Sequence, residues 1–340
     1  MDNYSAWKIN PQDFYKENTM EGKIKFLVRF GILAPSSHNT QPWKFRIKDN
    51  TLELFADFSR RLPKSDEDGR MIYAALGCAI SNIKIALDYY SLNFDIEYNR
   101  ELGNSPEGYV AKITFRGKGD VRKYPAEFLY ALMRRHSYRG RYRSKSIPSR
   151  IFENIAKLNE NDFEKFDIIK ELEKKEEIAQ IMGRAMKNKM AKREFRWELA
   201  HWLRTNITQR SDGMPGNGHG MKLITSILAP FILRLIDVSA VEKKKAIRRV
   251  RNFPAIGLIS TPIDSPRMWI AAGEYLERIL IYLYSQNIAA SIMIAPVEHM
   301  ESRNELKKFT EFLPQIFFGF GYAEKTYPHS PRRKLAEIFI

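Results

Sequence analysis

The sequence predicts an α+β chain made of two successive units, and three observations carry that reading. Helical and strand-like hydrophobic periods alternate along the chain, the pattern restarts after Pro125, and the two longest apolar helical stretches open alike. One opening reads Arg70-Met71-Ile72-Tyr73-Ala74-Ala75-Leu76-Gly77 and the other Arg267-Met268-Trp269-Ile270-Ala271-Ala272-Gly273. With 340 residues, 44% of them hydrophobic, the chain can bury one large core or two ordinary ones.

In chain order, the first unit should hold a helix over 22–33, the proline-bounded loop 34–42, and strands over 43–47 and 52–56 joined at Asp49-Asn50, a hairpin signal. A long helix over 69–90 follows, capped by Asp66 or Asp68, then strands over 94–98 and 110–115. The second unit starts with short helices over 126–133 and 149–158 and one long charged helix over 171–206. After a glycine-rich break come an apolar stretch over 223–238 and a basic helix ending near Arg251. Strand 255–260, helix 266–285, strand 289–294, helix 303–312 and strand 316–320 complete it. The domain division is therefore 1–122 and 123–340, with an insertion at about 211–250.

Composition narrows the function classes. No apolar run reaches the roughly 18 residues of a membrane span, and 223–236 is interrupted by Pro230 and Arg234. Met1-Asp2-Asn3-Tyr4 lacks the basic, apolar and small-residue succession of a secretory signal, so a cytoplasmic location is expected. The single cysteine, Cys78, permits no internal disulfide, and His38, His201, His219 and His329 have no ligand spacing, so no metal site is expected. Lys and Arg number 56 against 40 Asp and Glu, a net +16, yet no interleaved basic and aromatic motif accompanies it, which argues against specific nucleic-acid binding.

The loop Ala34-Pro35-Ser36-Ser37-His38-Asn39-Thr40-Gln41-Pro42-Trp43 sets five hydrogen-bonding side chains between two prolines without a permanent charge, which suits a polar ligand rich in donors and acceptors. It resembles the Pro-Ser-x-x-Asn-x-Gln-Pro-Trp loop of the FMN-dependent nitroreductase family at every fixed position. Arg135-His136-Ser137-Tyr138-Arg139 resembles the family's Arg-x-Ser-x-Arg/Lys segment. In an extended segment such guanidinium groups point to one side and can fork a phosphate and a ring carbonyl. Ala295-Pro296-Val297-Glu298-His299 is similar to the family's Pro-x-Glu-Gly turn, with His299 where glycine is usual, and Pro331-Arg332-Arg333-Lys334 is similar to its C-terminal phosphate-holding segment.

The order of these motifs is reversed relative to ordinary members, in which the Arg-x-Ser-x-Arg segment comes first and the flavin lies between two subunits. The resemblance therefore implies a nitroreductase-like fold with mostly antiparallel sheets flanked by helices, its two halves fused as an intramolecular dimer that can act as a monomer. Residues 1–22 lack arginine and 210–217 have become Arg-Ser-Asp-Gly-Met-Pro-Gly-Asn, so one flavin site is expected and its twin lost.

By resemblance, the cofactor is FMN and NAD(P)H the electron donor, hydride passing through flavin N5 to a small electron-poor acceptor such as a nitroaromatic or quinone. An FMN storage or sensor protein with little turnover is the alternative. The implied cofactor set is Pro35, Ser36, Ser37, Asn39 and Gln41 in the first half, and Arg135, Ser137, Arg139, Arg249, Glu298, His299, Arg332 and Arg333 in the second. Arg139, with Arg249, is expected to tune flavin N1 and O2, and Arg135, Ser137 and Arg333 to hold the phosphate. The apolar stretch within the insertion is expected to be a lid with its apolar face on the cleft, ahead of a membrane contact.

Overall fold

The computed structural model describes residues 3–105, 107–119, 122–161 and 164–340. Met1 and Asp2, used above in excluding a signal, lie outside them. The first unit runs α1 (Met20–Gly31), β1 (Trp43–Lys48), β2 (Thr51–Ala56), α2 (Arg70–Tyr89), β3 (Leu92–Tyr98) and β4 (Tyr109–Lys118). The second contains α3 (Glu127–Arg134), α4 (Ser149–Ala156), β5 (Lys165–Ile169), α5 (Leu172–Ala191), α6 (Arg193–Trp202), β6 (Leu203–Arg204), β7 (Met214–Pro215), α7 (Leu223–Leu235) and α8 (Ser239–Arg251). It ends with β8 (Ala255–Thr261), α9 (Pro266–Ser285), β9 (Ala289–Ile292), α10 (Ala295–Glu298), α11 (Met300–Leu306) and β10 (Leu313–Gly321). Each unit forms one antiparallel four-stranded sheet, ordered β1-β2-β4-β3 and β5-β8-β10-β9. This is the expected α+β architecture, with two four-stranded antiparallel sheets whose strand orders match.

Local chemistry explains most boundaries. Asp49 takes φ 53 in the β1–β2 turn, a conformation Asp tolerates. Both Asp66 carboxylate oxygens accept from the Met71 N–H, at 3.0 and 3.1 Å, and one also from that of Ile72 at 3.3 Å, so Asp66 serves the orphan donors that open α2. Asp68 instead accepts from the Arg70 N–H at 3.1 Å.

The expected single helix over 171–206 is broken. Lys192 is extended (ψ 119), and Arg196 Nη1 donates to the carbonyls of Met190 at 2.8 Å and Ala191 at 2.9 Å, satisfying the end of α5 from the first turn of α6. Helical periodicity cannot register this break, because both pieces keep the same period. Strand β5, absent from the sequence reading, pairs with β8 along the sheet edge. The last helix begins and ends earlier than expected, as Met300–Leu306 followed by a 3-10 turn over Lys307–Phe309.

The halves meet where α2 crosses α9. A Cβ on Gly77 would lie 2.1 Å from the Ile270 carbonyl oxygen, and one on Gly273 would lie 2.0 Å from that of Ala74. Each helix thus needs a glycine where the other's backbone crosses it. Cys78 Sγ, buried beside this contact, donates to the Gly273 carbonyl at 3.2 Å. The main hydrophobic core runs through the crossing, with Leu27, Trp43 and Ile80 from one half and Ile270, Ile279 and Phe318 from the other. The C-terminal tail also crosses over: Ile338 O accepts from Phe45 N at 2.8 Å and Ile340 N donates to Phe45 O at 2.9 Å, covering the free edge of β1.

Gly273→Ala should therefore cost about 3 kcal/mol, the upper part of the usual overpacking range. Urea denaturation would read this as a lower midpoint, and Gly77→Ala should match it because the contact is reciprocal.

Candidate functional site

The loop after α1 has an unusual backbone. His38, Asn39 and Gln41 all have positive φ (50, 55 and 54), which costs non-glycine residues energy and requires support from around them. That support comes mainly from the second half. Asn39 Nδ2 donates to Gly213 O at 2.9 Å and Pro331 O at 3.0 Å, while its Oδ1 accepts from Arg332 Nη1 at 3.0 Å. Gln41 Nε2 donates to Ser211 O at 2.8 Å, and its Oε1 accepts from Arg333 N at 2.8 Å. Arg333 Nη1 donates to Gln41 O at 3.1 Å. Asp212 ties the same segment down through Arg60 at 2.5 Å and Arg204 at 2.8 Å.

Two guanidinium groups converge on the end of α1. Arg135 Nη2 donates to Leu33 O at 2.8 Å, and Arg332 Nη2 donates to Leu33 O at 2.9 Å and Ala34 O at 3.2 Å. These carbonyls lie just past the C-terminal end of α1, at the entry to the loop. Glu277 of α9 supplies the counter-charge, 3.0 Å from Arg135 Nε with both side chains buried. Burial brings Arg332 down to about 9, and the nearby Arg135 charge pushes the same way.

Part of the expected ligand set makes its contacts with the protein itself. Asn39, Gln41, Arg135, Arg332 and Arg333 direct most of their polar groups to protein partners and act as a clamp, although Nε of Arg135 and Nε of Arg332 are buried without a hydrogen bond to a described residue. Glu298 is also internal: it is buried in an ion pair with Lys189, whose Nζ donates to Ser65 O at 2.9 Å. Burial nevertheless raises its pKa, and burial with the neighbouring Glu298 and Asp68 charges raises Asp66 to about 7. His299 caps α11 by accepting from Ser302 N at 3.4 Å. Its own N–H donates to Ala295 O at 3.1 Å and is thus engaged within the turn.

A second group keeps hydrogen-bonding capacity. Arg139 uses only Nη1, toward Ile292 O at 2.9 Å and Ser291 Oγ at 3.3 Å. The hydroxyls of Ser37 and Ser137 bond to no described residue, Ser36 Oγ accepts from Gln41 N at 2.9 Å, and Pro35 is half-buried at the start of the loop. His38 Nδ1 is buried without a partner. His219 joins this group although its position in the sequence carries no ligand spacing. Burial, then Arg139, Arg249 and His38, hold it down to about 3, while burial, Lys189 and Arg139 do the same to His38. Burial and then Arg249 lower Arg139 to about 10. First-half His38 is thus gathered with second-half Arg139, His219 and Arg249. The only sequence hint of His219 was the glycine-rich break that holds it.

Beside Arg139 opens a cavity of about 830 Å³, walled by Tyr138–Arg141, the end of α8 and Glu324–Tyr327. Arg139, Arg141, Lys245, Arg248, Arg249, Arg251 and Lys325 line it against Glu324 as the one acidic lining residue. Such a wall suits a phosphate-bearing ligand. A second cavity, of about 850 Å³, lies behind the loop between Asn3–Ala6, Gln209–Asp212 and Arg332–Glu337.

The insertion divides in two. Gly213 and Ser211 sit on the Pro35–Trp43 loop, whereas α7 turns its apolar side to solvent, with Ile224 72% and Leu235 81% exposed. The expectation that 221–238 turns an apolar face to the cleft is corrected. Helix α7 packs against α6, and Ser226 is its one buried residue, with Ala229, Pro230 and Leu233 partly covered.

Two tests follow from this geometry. Arg135→Ala should lower stability by about 3–5 kcal/mol, since Glu277 would be left as an unpaired buried charge. In a double-mutant cycle with Glu277→Gln the combined loss should be clearly smaller than the sum. The histidines predict an acid response: their folded pKa values lie below the unfolded 6.5, so the unfolded chain binds more protons between about pH 3 and 6.5. Stability should fall as pH drops through that window, opposed by Asp66, whose raised pKa acts in the other direction between about 4 and 7. His38→Asn, which keeps a residue tolerant of positive φ, should reduce the slope by one proton, about 1.4 kcal/mol per pH unit, in urea melts from pH 7 to 4.

No family model matches the chain. A Mycobacterium tuberculosis H37Rv protein named "Putative NAD(P)H nitroreductase Rv3131" is 22% identical over 325 residues, covering 93% of this chain and 90% of its own. A second protein of that strain, "Putative NAD(P)H nitroreductase acg", is 36% identical over 64 residues, 19% of each chain. Among solved structures, the FMN-dependent nitroreductase NfnB of Mycobacterium smegmatis, in complex with NADPH, covers 62% of this chain and 96% of its own at 13% identity and a TM-score of 0.41. Similarity thus runs nearly end to end with a protein named as a putative NAD(P)H nitroreductase, and this chain carries two four-stranded antiparallel sheets in one polypeptide.

Proposed function

We propose that this chain is an FMN-dependent NAD(P)H oxidoreductase that binds one flavin between its halves, which divide near residue 122, and reduces a small electron-poor acceptor of the nitroaromatic or quinone type. The observation that carries the reading is the group of unspent donors at the junction: Ser37 and the orphaned His38 Nδ1 from one half, Ser137, Arg139 and His219 from the other. They fit a flat ligand with an anionic edge and a phosphate.

Bound FMN would supply the hydride-transfer centre at its N5. Arg139 stays charged at neutral pH and would hold negative charge at the pyrimidine edge of the ring, with Arg249 adding to the field. His38 and His219 are neutral there, so each offers one donor and one acceptor and no charge. Ser37 and Ser137 would bond ribityl or phosphate oxygens. The basic cavity beside Arg139 would draw in the phosphates of NAD(P)H. Arg135, Arg332 and Arg333 act one step removed, by fixing the loop.

The purified full-length protein should show a flavin absorption spectrum, saturate at one FMN per chain, and oxidise NADPH when a quinone or nitroaromatic is supplied. Arg139→Ala should weaken FMN binding about tenfold or more, the loss expected for a charge-assisted hydrogen bond. Two FMN per chain, or an unchanged affinity, would overturn the single-junction reading. A second reading, FMN storage with little turnover, draws on the bonds from Gly213 and Ser211 to the loop, which would have to break to admit an acceptor. It would show as retained flavin reduced without catalytic acceptor turnover.

A further inference from the structure

Helix α7 has no partner for most of its surface. Ile224, Leu228, Phe231 and Leu235 follow the i, i+4, i+7, i+11 spacing that makes one stripe on a helix, and all four are exposed. Phe231 alone is 58% exposed. A contiguous apolar stripe of this kind on a folded chain marks an interaction surface. The helix is held from behind: Arg196 Nε donates to Leu233 O at 3.1 Å, Trp197 Nε1 donates to Arg234 O at 3.3 Å, and Ser226 Oγ accepts from Asn206 N at 3.1 Å.

The surroundings of the stripe are basic and aromatic. Trp197 is 47% exposed beside the end of α7, with the Arg193 guanidinium 5.0 Å from its ring centroid. Lys222 precedes the helix, and Lys187 lies close enough to Asp237, just beyond it, to affect its charge. Lys187, Arg193 and Lys222 form no ion pair with a described residue. A half-exposed Trp, an apolar stripe and unpaired cations at its margin are the parts of a helix that lies in a bilayer interface. At 13 residues, α7 is about 20 Å long, short of the roughly 30 Å hydrocarbon layer, so it can lie on a membrane without crossing it.

We propose that α7 docks the protein onto an anionic lipid surface, lying in the membrane plane with the Ile224–Leu235 stripe among the acyl chains and Lys187, Arg193 and Lys222 at the headgroups. Charge selects this occupant over a second copy of the chain. Pairing α7 with itself would set two basic margins face to face on molecules that each carry +16, whereas anionic headgroups complement them.

The test is co-sedimentation of the full-length protein with vesicles of phosphatidylcholine alone and with about one third phosphatidylglycerol. Binding is expected to the anionic vesicles only and should weaken as salt is raised. Ile224→Ser with Phe231→Ser should reduce it about tenfold or more, and so should Arg193→Gln with Lys222→Gln. Because these side chains are exposed and lie outside the flavin junction, both variants should keep the wild-type melting temperature and flavin content. No binding, equal binding to neutral vesicles, or binding untouched by the apolar pair would overturn the proposal. So would a dimer in sedimentation equilibrium that Phe231→Ser dissolves, since the stripe would then be covered by a second chain. None of these outcomes depends on oxidoreductase activity.

Discussion

The reciprocal approach of α2 and α9 governs the molecule. Two long helices can bring their backbones together only where neither presents a Cβ, and Gly77 and Gly273 are those places. Once the helices cross there, the sheet of each half is oriented by the helix packed on it, and a single hydrophobic core can run through both. The shared pattern at the start of the two helices is therefore a packing requirement met twice. Cys78, alone in its type, sits in the same contact as a small buried side chain donating to Gly273.

From that crossing follows the junction at which the loop after α1 meets the second half. Three adjacent or near-adjacent left-handed residues could not hold their shape on local interactions, and here they do not have to. The C-terminal tail reaches back across the first half, pairing with β1 at Phe45 and delivering Arg332 and Arg333 to carbonyls that would otherwise be buried without donors. Arg135 and Glu277 add a buried ion pair beside them. This clamp concentrates positive charge without leaving it free, while Arg139, Arg249 and the neutral pair His38 and His219 remain with capacity to spare. A basic chain thus divides its cations between those that hold the fold and those that keep donors to spare.

Much of the fold was legible from the chain alone. Core strands such as β8 and β10 and the helices α2 and α9 appear near their expected limits, because period, capping residues and turn chemistry are local properties. The loop Pro35–Trp43 and the Arg135–Arg139 segment were recognisable as motifs for the same reason. What escaped was set by contacts distant in sequence: the break at Lys192 is sealed by Arg196, and β5 exists because β8 offers it an edge.

The sequence by itself determined the two-unit α+β organisation, the positions of the polar loop and basic motifs, and the excess of cations. Only the tertiary structure decided which of those cations are engaged. A guanidinium two residues from a serine reads the same whether it meets a phosphate or a helix end. Arg135 meets the carbonyl of Leu33 and the carboxylate of Glu277, while Arg139, four residues on, keeps donors to spare. The physical reason is that hydrogen-bond demand is a property of the surroundings: a buried carbonyl or carboxylate takes the nearest donor, and neither its burial nor its distance is written in the spacing of residues.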